Sequence, residues 1–156
     1  MFINLFKSIL HNVGVLSVGF IFAFIGVAVD SLLGISRFES LFATIMGCLC
    51  LAIGFLIRVW ATFYFYEQHM SVIRLKPQKK LFTSGPYGFS RNPLYLGGNV
   101  FIFLGAALFL GSPSGVVLTV IVIFATDLMI RREEKQLAKN FGDEWANYKK
   151  RVHRWI

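Results

Sequence analysis

Two short segments of this chain carry side chains suited to holding a small charged ligand. The first reads Ser84-Gly85-Pro86-Tyr87-Gly88-Phe89-Ser90-Arg91-Asn92-Pro93-Leu94-Tyr95-Leu96-Gly97-Gly98. Arg91 offers a planar fork to a carboxylate. Tyr87 and Tyr95 offer ring faces that attract a cation, and the glycines let a ligand or a second backbone approach closely. The second segment is Arg131-Arg132-Glu133-Glu134. Its adjacent carboxylates can accept from hydroxyls or an amine, or can belong to an ordinary interfacial charge cluster. The chain has neither a metal-ligand pattern nor a nucleophile triad. Cys48 and Cys50, two residues apart in an apolar run, point to nearly opposite faces of a helix and are not placed to share a metal or a disulfide. His11 and His69 read as interfacial, and His153 as part of a basic tail.

The elements that must position these residues are membrane helices. Of 156 residues, 56% are hydrophobic and 15% charged, where a soluble domain carries about 25% charged. Seventeen Phe stand against eight acidic residues, more apolar surface than a chain of this length can bury on itself. One apolar run extends from Val13 to Val29 and, past Asp30, on to Leu33. A second covers Leu41 to Phe65 and contains Arg58. A third covers Leu94 to Leu110, and a fourth Val116 to Ile130, with Gly111-Ser112-Pro113-Ser114-Gly115 as a turn between them. From Arg131 to Arg154 the pattern is charged and helical, with Leu137, Phe141, Trp145 and Tyr148 on one stripe. The predicted fold is all-α and integral to the membrane, with about four transmembrane helices and a C-terminal amphipathic cytoplasmic helix. It forms a single domain over residues 1–156, with two N-terminal helices in 1–66 and a core in 79–156. The first helix, long and without a small-residue cleavage site after a short apolar stretch, is expected to be retained.

The net charge of +8 is concentrated. Thirteen of the sixteen Lys and Arg lie between Arg74 and Arg91 or between Arg131 and Arg154. Each group follows an apolar run, as cytoplasmic loops do under the positive-inside bias. This distribution argues against nucleic acid and for membrane lipids as partners, and places both termini in the cytoplasm. Arg58, Asn99 and Asp127 then share one depth near the cytoplasmic side. Because charge in a bilayer is costly, they are expected either to form one polar pocket, with Arg58 and Asp127 paired, or to be satisfied locally, with Arg58 snorkelling and Asp127 meeting Arg131 one turn on. Gly19 with Ala23, and Ala43 with Gly47, have the small-xxx-small spacing of close helix contacts. Trp60, Phe63 and Tyr64 read as an interfacial aromatic belt.

S-adenosylmethionine requires an acceptor for its hydroxyls or amine, a donor for its carboxylate, an apolar slot for adenine and a wall that tolerates a sulfonium. The two segments supply all four. Methyl transfer by in-line displacement depends mainly on alignment and needs no protein nucleophile. The chain from about Lys79 to Trp155 resembles the family of isoprenylcysteine carboxyl methyltransferases and phospholipid N-methyltransferases. The residues that carry the resemblance are Gly85-Pro86-Tyr87, Arg91-Asn92-Pro93, Tyr95-Leu96-Gly97, Glu133-Glu134, and Phe141-Gly142-Asp143-Glu144-Trp145-Ala146-Asn147-Tyr148-Lys149-Lys150-Arg151-Val152.

The resemblance implies a membrane methyltransferase dependent on S-adenosylmethionine. Tyr87, Arg91, Asn92, Pro93, Tyr95, Gly97, Glu133 and Glu134 would line the cofactor site, facing the cytoplasm. Arg131, Tyr148 and Arg151 would meet a lipophilic acceptor arriving from the bilayer. Two positions depart from the family pattern: Asn92 stands where the carboxyl-methylating branch has His, and Trp145 where Tyr is usual. A prenyl-cysteine carboxylate, a phospholipid amine and a small thiol remain open as acceptors. A non-catalytic four-helix module that binds anionic lipid is the competing class.

Overall fold

A chain in lipid must satisfy its backbone polar groups internally, and the apolar runs accordingly form helices. The computed structural model describes residues 1–68 and 80–156; His69, Arg74, Lys76 and Lys79 lie outside the described residues. The elements are α1 (Phe2–Leu33), α2 (Leu41–Glu67), a single turn α3 (Pro86–Phe89), α4 (Pro93–Phe109) and α5 (Pro113–Arg151). By length and composition α1, α2 and α5 can each cross a membrane, and α4 is a shorter apolar helix. The protein is thus an all-helical integral membrane protein.

Three details differ from the sequence-based boundaries. First, α1 begins at Phe2 and not at Val13, because its early turns pack on the end of α2. Asn4 donates to Glu67 (2.7 Å), and buried Ser8 meets Thr62 and donates to the Val59 carbonyl. Second, residues 96–102 of α4 are π-helical, a form that is rare and usually tied to a local packing or functional demand. Third, the amphipathic C-terminal stretch continues α5 without a loop. A break at Gly142, whose φ of 48° disfavours any side chain, turns residues 143–151. Trp145, Tyr148 and Val152 then close on Leu81, with Leu137 and Phe141 packed alongside, so the apolar stripe is used as its spacing implied.

α4 lies at the centre, against α1, α2 and α5. Glycine makes its approach to α2 possible: a Cβ on Gly54 would stand 2.5 Å from the Gly97 carbonyl oxygen, and one on Gly105 would stand 2.8 Å from the Leu51 nitrogen. Gly47 faces Gly105 from the other side. Gly19, Ala23 and Gly47 are buried as their spacing suggested, with Ala43 at the margin.

Buried polar groups hold the two ends of the bundle. At one end Asp30, 1% exposed, accepts from the Ser112 hydroxyl (2.5 Å) and the Ser114 amide (2.9 Å), placing an anion at the N-terminus of α5 where the helix dipole favours it. Toward the other end, Arg58 donates from Nε to Asn12 (2.8 Å) and from Nη1 to the Leu94 carbonyl (2.7 Å). Asn12 donates in turn to the Ser8 carbonyl and the Thr62 hydroxyl.

The expected Arg58–Asp127 pair does not form, and neither does the single polar pocket. Asn99 donates to Thr126 (2.7 Å), and Asp127 pairs with Arg131 and Arg154. Each group finds a partner on the helix face it already occupies. The local alternative is right for Asp127, whereas Arg58 is buried between helices and does not snorkel. Tyr64 likewise does not serve simply as an interfacial ring: it packs with Phe65, Phe82 and Tyr87, and its hydroxyl meets Ser84.

The close contact at Gly54 gives a direct test. Gly54→Ala should cost about 1–3 kcal/mol through overpacking against backbone. Gly14→Ala, with nothing within 4 Å of the new methyl, should be neutral or gain up to about 1 kcal/mol. Thermal melts of the purified protein in detergent check the order, and a Gly54→Ala variant as stable as the parent would contradict the packing.

Candidate functional site

The irregular segment before α4 folds as its Gly and Pro content dictates. Gly85 takes a φ of 61°, the left-handed region open to glycine. Pro86 and Pro93 each stand at the first turn of a helix, where a missing N–H has no cost. Between them Ser90, Arg91 and Asn92 form an extended turn. The Ser90 hydroxyl accepts from the Asn92 amide (3.1 Å) and fixes the turn from within.

The α4–α5 hairpin then returns the chain to the same level. Tyr95 donates from its hydroxyl to Glu133 (3.0 Å), and Arg91 pairs with Glu134 (3.1 Å). Both motifs singled out in the sequence therefore meet, and each glutamate has a different partner. Adjacent side chains on a helix diverge: Glu134 is buried, at 8% exposed, while Glu133 is half-buried.

A third strand of chain joins them. Beyond α5, residues 152–156 run back across the Ser90–Asn92 turn. The Arg91 amide donates to the His153 carbonyl (3.0 Å), and Ser90 Oγ and Asn92 Nδ2 donate to the Arg154 carbonyl (3.3 and 3.2 Å). The Arg154 guanidinium grips Glu134 with two bonds (3.2 and 2.7 Å) and Asp127 with a third (3.0 Å). The hydrogen bonds that Arg154 donates to Glu134, reinforced by Asp127, hold its pKa above its already high ordinary value, so this cation persists at any working pH.

Arg91 is the most constrained of these groups. Its side chain is 6% exposed, its guanidinium lies 5.5 Å from the centre of the Trp145 ring, and only Nη2 reaches Glu134. Nε and Nη1 are buried with no hydrogen-bond partner among the described residues. Leaving such donors unsatisfied costs roughly 1–3 kcal/mol each. Arg91 lines a cavity of about 20 Å³ together with Leu81, Phe82, Tyr87, Leu137, Trp145 and Tyr148, enough for about one water. Tyr148 closes it by donating to the Tyr87 carbonyl (2.7 Å).

The remaining residues named from the sequence are placed as follows. Asn92 is a tie between the turn and the chain end, a role that a neutral amide fills without any titration. Pro93 is buried at the start of α4. Gly97 lies away from the charge cluster, pressed against Arg58 and Gly54 of α2, where it serves packing. Arg131 is exposed and bonded to Asp127 (2.7 Å), and Arg151 is exposed. Tyr148 is not grouped with these two; it is buried in the wall beside Arg91. The sequence reading missed Arg154, Asp127 and Ser90 as members of this cluster. By sequence Arg154 is one of several cations in a basic tail, and only the burial of Glu134, which requires a cation, singles it out.

Residues 42–144 match the phospholipid methyltransferase family. The chain is 32% identical over 113 residues to a protein-S-isoprenylcysteine O-methyltransferase of Saccharomyces cerevisiae, a match covering 70% of this chain and 46% of that protein. It is 40% identical over 52 residues to a phosphatidyl-N-methylethanolamine N-methyltransferase of the same yeast, covering 33% of this chain and 25% of the relative. It is 40% identical over 58 residues to an uncharacterised protein of Haemophilus influenzae, covering 35% of this chain and 89% of that one. The chain thus spans half or less of the length of the two yeast enzymes. No solved structure matches.

The unequal burial of the two glutamates has a consequence for stability. Glu134→Gln leaves Arg91 and Arg154 facing each other with no anion between them and should cost about 3 kcal/mol or more. Glu133→Gln, which weakens one half-buried hydrogen bond, should cost about 1 kcal/mol. Thermal unfolding in detergent measures both, and equal losses would contradict the placement of Glu134 at the centre of the cluster.

Proposed function

This chain belongs to the phospholipid methyltransferase family, and on that premise we propose that it is a membrane methyltransferase that uses S-adenosylmethionine to methylate a lipophilic acceptor. One observation carries the proposal: Arg91 is buried beside Glu134 with two N–H donors that no group among the described residues takes up. Such donors fit a carboxylate, and the neighbouring carboxylates fit an amine or hydroxyls, so the residues present suit the amino-acid end of S-adenosylmethionine. The space beside Arg91, about 20 Å³, suits a carboxylate oxygen and not a nucleoside. In this reading Arg91 takes the ligand's carboxylate, and Glu134 and Glu133 take its amine and hydroxyls. Tyr87, Tyr95 and Trp145 supply aromatic faces, while Asn92, Pro93 and Tyr148 hold the walls and Gly97 acts only through packing.

When bound, S-adenosylmethionine supplies a methyl group on a positively charged sulfur. The protein's part is to fix the donor and the acceptor in line and keep water away. In this reading Arg131 and Arg151, both exposed, would meet an acceptor with an anionic group. Of the acceptors, a prenyl-cysteine carboxylate is favoured by the longer match to the isoprenylcysteine enzyme, and a phospholipid amine by the family as a whole. A carboxylate arrives ready to accept the methyl, whereas an amine must first lose a proton. The site is proposed to face the cytoplasm, because the basic groups gather at its end of the bundle.

Two outcomes test this. A charged hydrogen bond contributes about 1.5–3 kcal/mol, so Arg91→Lys, which keeps the charge and loses the fork, should weaken S-adenosylhomocysteine binding by roughly ten- to a hundredfold. Calorimetry on detergent-purified protein reads this, and parent-like binding by a folded variant would remove Arg91 from the site. Ser114→Cys and Asn147→Cys, near opposite ends of α5, should label from opposite sides of the membrane, Asn147→Cys from the cytoplasm; labelling of both from one side would overturn the orientation.

A further inference from the structure

Arg154 is the third residue from the end of the chain, outside both motifs that drew attention in the sequence, yet its side chain makes three hydrogen bonds in the cluster and its backbone carbonyl accepts two more. Its guanidinium donates to both oxygens of Glu134 and to Asp127, and Asp127 is steadied on its other oxygen by Arg131 (2.7 Å). Its backbone carbonyl receives Ser90 and Asn92. It is therefore tied at once to α5 and to the turn before α4.

The consequence falls on Glu134. An ionised carboxylate has about four acceptor directions. In this structure Oε1 takes Arg91 Nη2 (3.1 Å) and Arg154 Nε (3.2 Å), and Oε2 takes Arg154 Nη2 (2.7 Å). Among the described residues one direction remains untaken, on Oε2, and the rigid fork of Arg154 decides where it points. A point-charge cation such as Lys could neutralise Glu134 but could not set that direction, because its three donors rotate freely.

We propose that Arg154 is a positioning residue of the cofactor site: through its bidentate pair with Glu134, braced by Asp127, it orients the carboxylate that meets the ligand and makes residues 152–156 the third wall of the site. This rests on the reading of Glu134 as a ligand-binding group. Arg154 itself need not touch the ligand, and it stays in place when the ligand arrives.

Calorimetry with S-adenosylhomocysteine on the full chain in detergent tests it. Arg154→Gln should weaken binding by about tenfold, and Arg154→Lys should recover only part of the loss. In a Glu134→Gln background, Arg154→Gln should cause no further loss, because the group it orients is gone. A purely structural role would give the same loss in both backgrounds and would overturn the proposal. Unchanged or tighter binding by Arg154→Gln would overturn it too, since that is the behaviour of a residue that competes with the ligand for Glu134. If Arg154→Gln does not fold, Arg154→Lys carries the same comparison in the two backgrounds. Failure of the parent itself to bind would instead remove the cofactor reading on which the proposal stands, a result distinct from selective failure at Arg154.

Discussion

A carboxylate withdrawn from water at the edge of a membrane must be neutralised by cations held in fixed positions, and in this protein that carboxylate is Glu134. Removing either charge from a buried pair is far more costly than the pair's net contribution, so wherever Glu134 goes, Arg91 and Arg154 must follow. Those three residues come from three separate stretches: the turn before α4, the part of α5 beyond the apolar run, and the end of the chain. Their meeting fixes the α4–α5 hairpin at its open end, directs the tail across the Ser90–Asn92 turn, and brings Trp145 under Arg91. The cluster solves one electrostatic problem with long, planar side chains.

The rest of the bundle keeps that meeting point in place. Asp30 anchors the start of α5 at the far end, and the glycines of α2 and α4 let those helices touch backbone to backbone. Arg58, held by Asn12, reaches across to the Leu94 carbonyl, one residue before Tyr95. It therefore steadies the first turn of α4 where regular helix gives way to the π-helical stretch. Polar groups inside an apolar bundle are used here as fixed points: each spans two helices and leaves little freedom to slide.

Much of this was legible in the sequence because the chemistry is local. The apolar runs, the hairpin turn at residues 111–115 and the stripe of Leu137, Phe141, Trp145 and Tyr148 each follow from spacing alone, and the meeting of Tyr95 and Arg91 with Glu133 and Glu134 follows from the hairpin. What stayed hidden was partner choice. Arg58, Asn99 and Asp127 share a depth but face different neighbours, and rotation about a helix axis cannot be read from depth. Gly97 sits in a motif beside residues of the charge cluster, yet the turn of the helix carries it round to α2. Arg154 was invisible for the opposite reason: basic residues at a membrane surface are common, and only the fold shows which one is turned inward.

The central claim is that the turn before α4, the glutamate pair and the chain end form one ligand site. Hydrogen–deuterium exchange on the intact protein in detergent, with and without S-adenosylhomocysteine, tests this without any substitution. The account predicts slowed exchange together at residues 87–96 and 152–156, with a smaller effect at residues 131–136, where helical bonding already protects the amides. Protection confined to another part of the bundle, or slowing at the turn with none at the chain end, would contradict it.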